Sequence, residues 1–156
     1  MTDLFAGEVT GVVDDFVLVR GDGVPAYNFA TVIDDLHQGV TRITRGADLL
    51  SSAPRQAWLA ALLGSRPPSY AHVGLVTNPD GKRLAKRDGA VALADLLAQG
   101  WRHPEVVAEL TASLGLGRHE TPEGALAVMP EPLPDAFCAP VTWAGNGFAS
   151  STTTLP

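Results

Sequence analysis

Apolar positions along this chain recur with two periods, and the switches between them mark the elements. Residues Val9 to Val13 and Phe16 to Arg20 are β-rich runs on either side of Asp14 and Asp15, which predicts a hairpin. A turn cluster, Gly21 to Pro25, follows. From Tyr27 the apolar side chains Tyr27, Ala30, Ile33 and Leu36 or His37 fall at helical spacing, and Gly39 ends the run. Val40 to Arg45 then alternates apolar and polar residues, the period of a strand. Ser51 or Ser52 is placed to cap a helix that carries Pro54 in its first turn and runs to Leu63, with Gly64 as its stop. Tyr70 to Thr77 is a second β run. Ala90 to Gln99 predicts a short apolar helix closed by Gly100, Pro104 to Leu114 another stopped by Gly115, and Thr121-Pro122 the start of a weaker helical stretch.

Strands alternating with helices between residues 40 and 100 predict an α/β layer with at least one parallel crossover. Beyond Met129 the pattern fades, and prolines stand at 130, 132, 134 and 140. The expected division is therefore 1–100 for the α/β part, 101–128 for a helical segment and 129–156 for a proline-rich, fraying tail. No internal repeat is present.

Composition narrows the class. With 46% hydrophobic and 18% charged residues, the 156-residue chain has the makings of a packed core. Cys138 is the single cysteine, so neither a disulfide framework nor a cysteine zinc cluster can form within the chain. A cytoplasmic protein is expected. The first residues lack the pattern of a signal peptide, and no apolar run approaches the 18 residues of a membrane span. The formal net charge of -6 argues against broad, nonspecific nucleic-acid binding, while leaving room for a local basic patch.

Such a patch exists. Both lysines, Lys82 and Lys86, lie in the loop Asn78 to Gly89, and with Arg83 and Arg87 they place four of the eleven cations within six residues. A glycine-bounded loop with that charge suits a polyphosphate, because cations on it can close over charge that develops on the phosphates. Taken alone, it reads equally as a solvated hairpin tip.

Four segments together carry a resemblance. They are Asp22 to Ala30 (DGVPAYNFA), Val32 to Val40 (VIDDLHQGV), Thr44 to Leu49 with Ser52 to Gln56 (TRGADL and SAPRQ), and Gly81 to Gly89 (GKRLAKRDG). In order and spacing the chain resembles, over roughly residues 5–115, the C-terminal half of the catalytic domain of class I glutamyl-tRNA synthetases. The shortened branch of that family, the glutamyl-Q tRNA(Asp) synthetases, looks closest.

The resemblance implies a partial Rossmann-type α/β domain followed by short helices. It also implies an activity in which ATP, with magnesium, and L-glutamate form glutamyl-adenylate and the glutamyl group passes to tRNA. In the shortened branch the acceptor is a queuosine base of tRNA(Asp). The basic loop corresponds to the family's K-M-S-K-S signature, here Arg83, Leu84, Ala85, Lys86 and Arg87, which implies an ATP-binding segment with Lys86 as its catalytic lysine. Arg83 stands where the signature has a lysine, exchanging a point charge for a planar fork, and Ala85 stands where it has a serine, removing a hydroxyl. Tyr27 and Arg45 match the positions that hold glutamate. An arginine fork can grip a carboxylate through two parallel bonds, and a tyrosine hydroxyl adds a directional one.

From the residues alone, Tyr27 reads as a packed helix-face aromatic and Arg45 as a strand-end arginine pairing with Asp48. Asp34 and Asp35 orient ligands or brace a helix end. His72 reads as a core histidine, and Trp58 and Trp101 as packing residues. No metal ligands are assigned. The family's H-I-G-H-type signature and the zinc site of the shortened branch find no counterpart in these residues, so half a catalytic domain is expected, with an exposed sheet edge and a separately encoded N-terminal half as a possible partner. Three readings remain open: a glutamyl-Q tRNA(Asp) synthetase-like ligase, a fragment of a glutamyl-tRNA synthetase, and a non-catalytic, synthetase-derived binding module.

Overall fold

The computed structural model describes residues 1–84, 91–131, 135–145 and 147–149. The chain divides into two compact units, Met1–Val73 and Gly74–Pro156.

The first unit is built on a four-stranded sheet. Its strands are β1 (Thr2–Asp3), β2 (Gly7–Glu8), β3 (Arg42–Gly46) and β4 (Ser69–Val73), in spatial order β2-β1-β4-β3. β3 and β4 are parallel and in register from Arg42 opposite Ser69 to Gly46 opposite Val73. The connection between them runs through helix α2 (Ala53–Leu62), so the expected parallel crossover is present as a βαβ unit. β1 pairs parallel with β4, Asp3 opposite Tyr70, and antiparallel with β2.

Helix α1 (Tyr27–His37) has the bounds that its periodicity predicts, and Gly39 follows it at φ +70°, a conformation that favours glycine. Val32 of α1 meets Leu59 and Ala60 of α2, with Phe16, Phe29 and Leu36 around them. A second cluster joins Ala53, Ala57 and Tyr70 to Ile43 and Met1, between α2 and the sheet. Buried Gln56 ties the two helices through a polar link, its Nε2 donating to Asn28 Oδ1 at 3.0 Å.

Two sequence expectations fail here. Residues 9–13 and 16–18 form no hairpin strands. Val9 alone extends the β1–β2 pairing, exchanging backbone bonds with Met1, whereas Val12 is 90% exposed and residues 10–13 and 16–18 find no partner strand. This stretch is instead pinned from outside: Arg55 donates to Asp14 and stands 5.1 Å over the Phe16 ring. The turn that follows is real, with Arg20 N–H donating to Val24 O and Gly23 at φ +81°. Trp58 is 47% exposed rather than packed, lining a groove with Pro54 and Arg66.

The second unit holds β5 (Val76–Thr77), α3 (Leu93–Ala98), α4 (His103–Ser113), α5 (Pro122–Ala127) and β6 (Val141–Thr142). The single β run expected over Tyr70 to Thr77 is broken, because β4 belongs to the four-stranded sheet whereas β5 pairs in parallel with β6. The break falls at Gly74. Its N–H donates to Phe137 O, and a side chain there would run into the Ala139 carbonyl. Each helix start carries a local signal: Asp95 accepts from Ala92 N–H, Glu105 from Arg102 N–H and Thr121 from Gly124 N–H. Trp101, Trp143 and Phe148 form an aromatic group, with ring centroids 6.3 and 5.1 Å apart.

Candidate functional site

In open α/β sheets, ligands bind beyond the carboxyl ends of the parallel strands. In the first unit those ends carry Arg45 on β3 and His72 on β4, directly opposite each other in register. Asp3, at the end of β1, completes a row across three adjacent strands. The three side chains are bonded in series. Asp3 Oδ2 lies 2.6 Å from His72 Nδ1, and Arg45 Nε donates to His72 Nε2 at 3.0 Å.

The direction of these bonds fixes the protons. A guanidinium can only donate, so His72 Nε2 is the acceptor, and the ring proton sits on Nδ1 facing Asp3. The imidazole is therefore neutral, and its tautomer is set by its neighbours.

Asp3 is itself held tightly. It accepts from the Phe5, Ala6 and His72 N–H groups at 3.0, 2.9 and 3.1 Å. Burial pushes its pKa up, but the Ala6 N–H, the His72 ring and the remaining backbone donors outweigh it and hold the carboxyl below its ordinary value. Asp3 and His72 are each only 2% exposed.

Arg45 is half-buried. Besides His72 it donates through Nη2 to Leu49 O at 3.3 Å, and its guanidinium carbon stands 5.4 Å from the Tyr70 ring centroid. Tyr70 stacks on His72 at 6.0 Å, and burial raises its phenol pKa, with the positive charge of Arg45 pulling the other way. Arg45 thus presents its remaining N–H groups from a wall of aromatic and histidine side chains, an arrangement suited to one carboxylate.

Tyr27 takes no part in that network. It opens α1 and is 55% exposed, so it is not the packed aromatic that its spacing alone suggests. Its neighbour Asn28 is the one tied down, through Gln56. Sequence reasoning missed His72 and Asp3. The signal was there in outline, a histidine two residues beyond a buried tyrosine on the same strand face, but its partners come from separate strands.

In the second unit, the first limb of the basic loop is a tight hairpin. Asn78 N–H donates to Lys82 O, Lys82 N–H to Asn78 Oδ1 and Leu84 N–H to Val76 O, with Gly81 at φ +75°. Arg83 pairs with Thr77 as an isolated bridge, and the Lys82 and Arg83 side chains are exposed. Ala85, Lys86 and Arg87 lie outside the described residues. Among the described residues, no group of three or more His, Cys, Asp or Glu could hold a metal, and no helix is long and apolar enough to cross a membrane.

Comparison with known proteins places this architecture. The glutamyl-Q tRNA(Asp) synthetase of Nocardia farcinica is 60% identical over 116 residues, which cover 74% of this chain and 37% of the relative. That of Cutibacterium acnes is 54% identical over 136 residues, covering 85% and 39%. The glutamate–tRNA ligase of Nitrosospira multiformis is 45% identical over 116 residues, covering 72% and 25%. The chain thus spans well under half the length of these relatives. Among solved structures, a glutamate tRNA ligase from Elizabethkingia meningosepticum in complex with its amino acid aligns with a TM-score of 0.50 at 38% identity, over 57% of this chain and 18% of that one. The family described as tRNA synthetases class I (E and Q), catalytic domain, matches residues 1–124. The chain therefore belongs to the class I tRNA synthetases (E and Q), as part of their catalytic domain.

Proposed function

We propose that this chain supplies the glutamate-recognising part of an ATP-dependent glutamate–tRNA ligase of the glutamyl-Q tRNA(Asp) type, working in the cytoplasm. The observation that carries the reading is Arg45. Its guanidinium is fixed at the carboxyl ends of the parallel strands, with donors left over for a carboxylate. Two parallel bonds to the glutamate side-chain carboxylate would orient the substrate, and Tyr27 would add a hydroxyl contact. The higher identity to two glutamyl-Q tRNA(Asp) synthetases than to the glutamate–tRNA ligase of Nitrosospira multiformis supports the shortened branch, and with it a queuosine base of tRNA(Asp) as acceptor.

ATP enters as co-substrate, with magnesium on its phosphates. The segment Arg83, Leu84, Ala85, Lys86 and Arg87 would face those phosphates. The described limb of that loop supports the role: its turn keeps the Lys82 side chain exposed to solvent. As the glutamate α-carboxylate attacks the α-phosphorus and pyrophosphate leaves, Lys86 would stabilise the charge that builds on the phosphate oxygens.

The chain by itself binds glutamate without activating it. Support comes from the lack of an H-I-G-H-type tetrad in its 156 residues and from its share of its relatives' length. Glutamate-dependent ATP–pyrophosphate exchange tests both statements. We expect none from the chain alone, and exchange from the chain fused to the N-terminal region of a glutamyl-Q tRNA(Asp) synthetase. A folded fusion that exchanges nothing with glutamate would refute the ligase reading. Exchange by the chain alone would refute its dependence on further residues.

A further inference from the structure

We propose that His72 and Asp3 are positioning residues that close one face of the Arg45 guanidinium, so that a carboxylate can be received only across its far end. The proposal rests on the reading of Arg45 as the carboxylate contact and specifies how that contact is made.

A guanidinium offers two bidentate forks. The side-on fork uses Nε–H with one Nη2–H, and the end-on fork uses Nη1–H with the other Nη2–H. In this structure Nε, which any side-on grip needs, is already taken: it donates to His72 Nε2 at 3.0 Å, while Nη2, which carries two N–H groups, donates to Leu49 O at 3.3 Å. The end-on fork remains. Which fork is open depends on His72 presenting a bare Nε2. That depends on Asp3, whose Oδ2 accepts the Nδ1 proton at 2.6 Å. Asp3 is fixed in turn by backbone donors from the turn after β1 and from β4. A row of polar residues spanning three strands thus ends on one atom of Arg45.

The arrangement has a consequence for selectivity. His72 is neutral and adds no charge to compete for the ligand. A carboxylate satisfies both end-on donors, whereas an amide oriented with its oxygen to one donor turns its NH2 toward the other. A simple packing role would need none of this. Apolar side chains of similar volume fill a buried site without a partner to satisfy.

NMR of the 15N-labelled chain tests the proposal directly. We expect a scalar coupling across the hydrogen bond between Arg45 Nε and His72 Nε2. On titration with L-glutamate the Arg45 Nη signals should shift while that coupling persists. Its disappearance as glutamate binds would mean that the ligand takes the side-on fork, and would overturn the proposal.

His72→Phe, which removes both ring nitrogens, should weaken glutamate binding about tenfold, the loss expected for one charged hydrogen bond. His72→Gln keeps a donor for Asp3 and an acceptor for Arg45, and should bind within about threefold of wild type on the same scale. Should His72→Phe fail to fold, the coupling and the Gln variant still decide. Wild-type affinity in a folded His72→Phe would remove the positioning role and leave Arg45 as the contact. Arg45 signals that do not respond to glutamate while the coupling stands would overturn the contact itself, and this proposal with it.

Discussion

Replacing Asp3 by Asn exchanges one carboxylate oxygen for an NH2 and should break the support beneath Arg45. The carboxylate accepts from Phe5 N–H, Ala6 N–H, His72 N–H and His72 Nδ1. Asparagine offers one oxygen and one NH2. With its oxygen toward Phe5 and Ala6, the NH2 faces two donors of His72. Two charged hydrogen bonds are lost, at about 1.5 kcal/mol each for the low end of such bonds, so the first unit should lose about 3 kcal/mol. If the histidine changes tautomer to relieve the clash, Nε2 becomes a donor and repels Arg45 Nε–H, which moves the damage from stability to the site.

The pH dependence follows from the sign of the shift. Asp3 has a folded pKa below its ordinary value, so its contribution is fully present above the unfolded value of about 3.9 and fades as the pH falls through the folded one. The Asn variant should lack that fading. Because the chain has two units, amide exchange read at β4 is a safer measure than a single global transition. Protection of the His72 amide should fall by about two orders of magnitude in Asp3→Asn at neutral pH. Protection unchanged within a factor of about two would refute the view that Asp3 holds this row together.

Other expectations are more local. Gly74→Ala should destabilise the second unit by about 1–3 kcal/mol, since a methyl there meets the Ala139 carbonyl, and hydrogen exchange should show the β5–β6 pairing loosened first. Lys86→Ala, in a fusion competent for exchange, should slow adenylate formation by about two to three orders of magnitude, as loss of a preorganised charge stabiliser does. An unchanged single-turnover rate would remove that role.

Much of the fold was legible in local pattern. The spacing from Tyr27 to His37 gave α1 its bounds, and the alternation after Val40, Pro54 and the run from Tyr70 marked the βαβ unit. These elements are set by residues close in sequence. What local pattern missed depends on partners far along the chain. Residues 10–13 and 16–18 have strand composition but no strand beside them, so propensity had nothing to pair with. The run from Tyr70 to Thr77 looks continuous, yet the close approach of Ala139 to Gly74 divides it between two sheets.

The site was half legible for the same reason. Arg45 stood out through its place after an alternating strand and its match to the family pattern. His72 looked like a core histidine, and it is buried, but it is buried as a link between Asp3, 69 residues away, and Arg45, 27 residues away. Local pattern singled out Arg45 more readily than the residues that hold its guanidinium in place.

The central claim is that Arg45 gives this chain a preference for the glutamate carboxylate over the glutamine amide. Calorimetric titration of the purified chain and of Arg45→Gln with L-glutamate and L-glutamine tests it most directly. The account predicts that the wild-type chain binds glutamate at least about tenfold more tightly than glutamine, a charged hydrogen bond being worth more than about 1.4 kcal/mol, and that Arg45→Gln abolishes the difference. A variant that kept the full preference for glutamate would contradict it.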